Sequence, residues 1–247
     1  RRKQQKRSFC KIFVVTHKSF TAPEDRLYIP LYAGAEGRKV PESGYMRDDE
    51  SDNISGLNPW INECTGLYWI WKHVDCEYIG LNHYRRYFIK EGKSSCLENI
   101  LNEKDITEYM RSYDVLLARA EQSFPDRRIR QVMLERVDPE AYAKGLQIIR
   151  GLLAERQPEY LQTFDELLDG WSFYPCNMFV MKKAVMDVYC EWLFSFLIDA
   201  AKAMDIRPYD DYSKRIIGFF AERMLTVWLM HHQLKVKECQ ILLLDQG

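Results

Sequence analysis

The chain has 247 residues, enough for one large domain with a sizeable core. Its 35 basic and 36 acidic residues leave a formal charge of −1, which removes the electrostatic case for nucleic acid as the main partner. Seven cysteines (Cys10, Cys64, Cys76, Cys96, Cys176, Cys190 and Cys239) form no CxxC pair, so they read as reduced thiols and not as a disulfide framework or a zinc site.

The opening RRKQQKR is basic, and residues 1–9 read as a disordered tail before a single domain over 10–247. No apolar run is long enough to cross a bilayer and none reads as a secretory signal, so a cytoplasmic place is expected. Lys11 to Val15 is a short β-branched run that predicts a buried parallel strand. It ends at Thr16, His17 and Lys18, groups suited to a nucleotide or phosphate pocket. Neither GxGxxG nor GxxxxGK[ST] is present.

Residues 19–56 form a long connection, with a short strand at Tyr28–Tyr32 and then RDDESDNIS. Asp48, Asp49, Asp52 and Asn53 there offer oxygen ligands for a cation or acceptors for sugar hydroxyls. The same residue types also make solvated Asx turns. Asn58-Pro59 predicts a helix start with Asn as the cap, and Trp60, Cys64, Leu67, Tyr68 and Trp71 recur at helical spacing. Glu63 flanks that apolar stripe and needs a partner, for which an arginine of the next segment is the expected one.

That segment, YIGLNHYRRYF (Tyr78 to Phe88), is the centre of the chain. It starts as a buried strand and ends in Asn82, His83, Tyr84, Arg85 and Arg86 without a spacer. So many polar groups are costly as core, and ligands of open α/β sheets sit outside the carboxyl ends of strands. A solvated strand end whose arginines pair with surface acids is the plainer alternative.

Further on, a helix is predicted over residues 97–112, a strand over 113–118 and a helical insertion over 123–170 that shapes one wall of an acceptor cleft. A strand follows over 171–182, interrupted by Asn177. Long helices are predicted over 184–204 and 215–232, and a last strand over 234–244. Glu222 lies within the last apolar helix, seven residues from Arg215 and so on the same face. It is either a carboxyl with a raised pKa or the partner of Arg215 or Arg223.

Taken together, these segments resemble a bacterial family known as domain of unknown function 4422. The matching pieces are IFVVTHKSF, PEDRLYIPLYAG, RDDESDNIS, LNPWINECTGLYWIWKH, YIGLNHYRRYF, CNMFVMKK with YCEWLF, and GFFAERMLTVWL, in family order from about residue 10 to 232. The chain departs from the family pattern near residue 130, where RIRQVMLERVD carries neither histidine nor tyrosine.

The resemblance implies an α/β fold: a single GT-A-like (Rossmann-like) domain with a central mixed sheet, a helical insertion and C-terminal helices. It implies a glycosyltransferase of capsular, exopolysaccharide or O-antigen synthesis. A hexose of galactose or glucose type would move from a nucleotide-sugar donor, UDP-linked, to a saccharide or lipid-linked oligosaccharide at the inner face of the membrane. The alternative is a non-catalytic carbohydrate- or nucleotide-binding module of a larger synthase. On the glycosyltransferase reading, Thr16, His17, Lys18, Asn82, Arg85 and Arg86 bind the donor. Asp49, Asp52, Asn53, Tyr84 and Asn177 bind sugar or acceptor, and Glu222 or His83 is the base. The strand end has no Asp-x-Asp, so arginine in place of a metal is the expectation for the diphosphate. Mn²⁺ or Mg²⁺ on Asp48, Asp49 or Asp52 is the competing one.

Overall fold

The computed structural model describes residues 8–39, 44–122 and 126–244. The basic RRKQQKR segment lies outside them. The boundary expected after residue 9 falls inside the first strand, since Ser8 and Phe9 belong to β1 (Ser8–Thr16). The Phe9 ring packs edge-on against Tyr78 at 5.2 Å.

Next come β2 (Tyr28–Tyr32), β3 (Met46–Arg47), α1 (Asn58–Ile61), α2 (Cys64–His73), β4 (Cys76–His83) and β5 (Arg86–Phe88). The middle holds α3 (Glu103–Tyr109), β6 (Val115–Ala118), β7 (Glu121–Gln122), α4 (Ile129–Leu134), α5 (Pro139–Arg156) and α6 (Pro158–Leu168). The chain closes with β8 (Ser172–Phe173), β9 (Phe179–Lys182), α7 (Lys183–Ala203), α8 (Ile216–His231), β10 (Val236–Cys239) and β11 (Ile241–Leu243).

The main sheet runs β3-β2-β1-β4-β9-β6-β10, with β5 and β11 attached at the end of β4. β9 is antiparallel to both its neighbours and the other six pair in parallel, so the sheet is mixed, as predicted. Alternate side chains of its central strands feed two cores. Phe13, Val15, Ile79, Leu81, Val115, Leu117, Phe179 and Met181 join the helices on one face. Ile12, Val14, Leu116, Met178 and Val180 join β5 and α3 on the other. Burial on both faces is why these strands read as unbroken apolar runs. Each fully buried Ile, Leu or Phe contributes about 1.5–3 kcal/mol.

The predicted insertion is helical over α4, α5 and α6, and its residues 123–125 lie outside the described part. α5 and α6 pack on α8, and α5 also packs on α7. Gly145 permits this close approach, since a Cβ there would stand 3.0 Å from Ile216.

The helix expected from Asn58 is broken in two. Asn62 takes a positive φ of 50° with ψ −126°, a strained backbone for a residue with a side chain. Leu57, not Asn58, is the cap residue. The Asn58 amide instead donates to the Asn62 carbonyl at 2.7 Å and to Thr65 Oγ1 at 3.2 Å. The last predicted strand is also two, since β10 pairs with β6 and β11 with β5. Likewise the helix expected over 97–112 is α3 alone, preceded by a turn at Leu97–Asn99 and capped reciprocally by Asn102 and Asp105.

Candidate active site

β1 and β4 run in parallel with Val15 opposite His83, so both strands leave the sheet at one level. The Tyr84 amide donates to the Val15 carbonyl at 3.1 Å and ties the two exits together. β4 then turns back through Tyr84 and Arg85 into β5, with His83 opposite Arg86. Beyond these strand ends lies a cleft of about 860 Å³. Its floor is Val15, Thr16, His17 and His83 to Arg86. One wall is the α1–α2 break (Asn62, Glu63) and another is the first half of α8 (Gly218, Phe219, Glu222) with Arg215. Arg38, Arg136 and Lys214 complete its cationic lining. The position is the ligand crevice of an open α/β sheet.

Charge is uneven in this cleft. Six Arg or Lys side chains line it against three carboxylates: Glu63, Asp211 and Glu222. Lys214 pairs with Asp211 at 2.8 Å, and Arg215 donates to Asn62 Oδ1 at 3.0 Å. The guanidinium groups of Arg38, Arg85, Arg86 and Arg136 have neither ion pair nor hydrogen bond among the described residues. The plainer reading, with surface acids as partners of the arginine pair, finds no such acid at Arg85 or Arg86 among the described residues. His17 registers the field. Burial, then Lys18, Arg215, Arg38 and Arg85, depress its pKa below the ordinary 6.5.

Of the other residues predicted for the donor, Thr16 lines the cleft with its hydroxyl folded into a local turn. It donates to the Lys18 carbonyl at 2.6 Å and accepts from the Lys18 amide at 3.1 Å. The Lys18 ammonium sits 5.2 Å from the Tyr84 ring centre, outside the lining residues. Asn82 is not in the cleft. It is fully buried, its side-chain amide meets no partner among the described residues, and strand alternation puts it on the face of Tyr78.

The acidic loop is not brought to this cleft either. Asp48 is fully buried and accepts from the Gly34 amide at 2.8 Å, the Ala35 amide at 3.0 Å and Ser55 Oγ at 2.5 Å. Both oxygens of Asp49 pair with Arg47, which holds its carboxyl below the usual range. Asp52 accepts from the Tyr68 hydroxyl at 3.0 Å, and Asn53 bonds the backbone of its own loop. These carboxylates are engaged in holding the loop on the sheet, so as arranged they do not fit a divalent cation. Among the described residues no three His, Cys, Asp or Glu side chains gather to hold one.

The opposite wall is organised by one turn ahead of β9. Cys176 and Asn177 both adopt positive φ, 69° and 50°. Consecutive left-handed non-glycine residues are costly and are kept only where surrounding structure demands them. Here the Cys176 amide donates to Glu222 Oε1 at 2.6 Å, the Cys176 carbonyl accepts from His83 Nε2 at 2.5 Å, and Asn177 Nδ2 donates to Glu63 Oε1 at 2.8 Å. Asn177 thus reaches the site through Glu63, so the expected arginine is not Glu63's hydrogen-bond partner. Glu222 also pairs with Arg223, so both of its oxygens are engaged and it is not the lone buried carboxyl of the alternative reading. Burial pushes the Cys176 thiol up to about 12, so it is protonated at neutral pH and no nucleophile.

Sequence reasoning did not assign Glu63, Arg38, Arg136 or Lys214 to the site. Arg38 lies in a loop with no motif around it, and Arg136 follows a short helix within RIRQVMLERVD, the segment that departs from the family pattern. Glu63 carried a signal, a carboxylate beside an apolar stripe, but its partner could not be read from spacing.

A solved structure described as the apo structure of the bifunctional glycosyltransferase WbbM is similar over 97% of this chain, at 27% identity and a TM-score of 0.78. The chain spans 46% of the length of that protein. No curated protein matches the chain. The profile of the family described as domain of unknown function DUF4422 matches residues 11–233. This chain, with the fold of a glycosyltransferase half, belongs to the DUF4422 family.

Proposed function

We propose that the chain is a glycosyltransferase that moves a hexose, of galactose or glucose type, from a UDP-linked donor to a saccharide acceptor in bacterial surface polysaccharide synthesis. The observation that carries this reading is the group of four guanidiniums, unpartnered among the described residues, around a cleft at the ends of β1 and β4. An unpaired arginine cluster is unfavourable until an anion enters, and a guanidinium fork matches phosphate oxygens two at a time. A departing nucleoside diphosphate supplies such an anion. The likeness to a bifunctional glycosyltransferase supports the same activity.

On this reading Arg85 and Arg86 stabilise the diphosphate from the floor, with Arg38 and Arg136 closing from the rim. No divalent cation takes part in the step, and the engaged state of Asp48, Asp49 and Asp52 favours this choice. Thr16 and His17 hold the nucleotide side of the donor. The acceptor is a saccharide or lipid-linked oligosaccharide presented at the inner membrane face. Among the described residues no helix is long and apolar enough to cross a membrane.

The test is incubation with UDP-galactose, UDP-glucose, GDP-mannose and dTDP-glucose, reading nucleoside diphosphate release. UDP release from a UDP-hexose is expected. No release from any donor would favour the binding-module alternative.

A further inference from the structure

We propose that Glu63 takes the proton of the attacking acceptor hydroxyl and that Asn177 is its positioning residue, an inference that rests on the glycosyltransferase reading.

Three carboxylates line the cleft, and their partners separate them. The Asp211 side chain is 99% exposed and paired with Lys214. Glu222 has both oxygens engaged, one by the Cys176 amide and one by Arg223. Glu63 accepts at Oε1 from Asn177 Nδ2, and its Oε2 has no partner among the described residues. A base needs an accessible lone pair and a fixed orientation, and only Glu63 of these three combines them.

The fixing is built into the backbone. The positive-φ Asn62 ends α1 and starts α2 anew, which leaves Glu63 half-buried on the cleft wall and not on the helix face that packs on the sheet. The buried Asn177 reaches across from the turn before β9, 114 residues away in sequence.

His83 is the competing group. Its Nε2 is committed to the Cys176 carbonyl. Taking a proton at Nδ1 would add a cation to a cleft already lined by six Arg or Lys side chains. A carboxylate that takes the proton becomes neutral and avoids that cost.

In an inverting transfer the acceptor oxygen bonds to the anomeric carbon as the bond from that carbon to the diphosphate oxygen breaks. The electron pair leaves with the nucleoside diphosphate, and the hydroxyl proton passes to Glu63 Oε2.

The experiment measures UDP release from UDP-galactose and UDP-glucose, with water or octyl β-galactoside as acceptor, beside UDP-induced thermal shift. Glu63→Gln is expected to lower kcat by about 100- to 10,000-fold with KM for the donor and the UDP shift unchanged. Glu63→Asp, which keeps a carboxylate, is expected to fall less. Asn177→Ala is expected to lower kcat and leave donor KM unchanged. Wild-type turnover retained in Glu63→Gln overturns the assignment, as does a loss confined to His83→Asn. A wild-type protein that neither binds a nucleotide nor releases one removes the glycosyltransferase reading and this inference together.

Discussion

His83 Nε2 donates to the Cys176 carbonyl at 2.5 Å, which joins the end of β4 to the turn before β9 across the cleft. A carbonyl only accepts, so the bond places an imidazole proton on Nε2. Because Cys176 also donates its amide to Glu222, one residue aligns two cleft side chains from different elements. Its left-handed backbone is the cost of that alignment.

Replacing Cys176 by a β-branched residue raises that cost. Cys176→Val should be destabilised by about 1–2 kcal/mol more than Cys176→Gly, because glycine adopts positive φ freely. Urea midpoints of the two variants measure the difference, and equal midpoints would contradict it.

The arginines trade stability for binding. Arg85→Ala or Arg86→Ala removes a charge unpaired among the described residues from a cationic cleft, so the melting temperature should stay or rise. UDP affinity should fall by about 10- to 100-fold, for a lost charge-assisted contact of about 1.5–3 kcal/mol. A variant that melts markedly earlier would mean that the guanidinium has a structural partner.

His17 gives a pH signature. Its pKa is depressed by burial and by Lys18, Arg215, Arg38 and Arg85. The folded chain then binds this proton less readily than the unfolded chain, so its contribution to stability is full above pH 6.5 and is lost as pH falls toward the depressed value. A bound diphosphate offsets the neighbouring cations and raises the pKa again. UDP binding should therefore take up a proton and tighten as pH falls from 7.5 toward 6. Calorimetry in buffers of different ionisation enthalpy reads the uptake, and His17→Asn should abolish it.

Asp48 and Asp49 are adjacent and should behave differently. Asp48→Ala leaves the Gly34 and Ala35 amides and Ser55 Oγ without their acceptor in a buried place. Each orphaned group costs about 1–3 kcal/mol. Asp49→Asn breaks a partly exposed pair with Arg47 and should cost less than about 1 kcal/mol. Chemical denaturation separates the two.

Much of this fold was legible where one period dominates. β1, β2, β9, α7 and α8 carry apolar runs or faces that fix their type, and the polar cluster after β4 marked the strand end. The breaks were not legible. Asn62 and Gln240 interrupt elements through long-range demands, the first through Asn58, Arg215 and the close approach of Gly218, and the second by switching partner from β6 to β5. The acidic loop misled for a related reason. Its oxygens look available in sequence, yet backbone amides and Arg47 consume them in three dimensions. Glu222 and Glu63 look alike along the chain, and only their partners tell them apart.

The measurement that tests the central claim most directly is calorimetric titration of UDP in EDTA, on the wild type and on Arg85→Ala and Arg86→Ala. Saturable binding without a cation, weakened in both variants, is the predicted result. Binding that appears only on adding Mn²⁺, or binding that both variants retain in full, would contradict an arginine-held diphosphate.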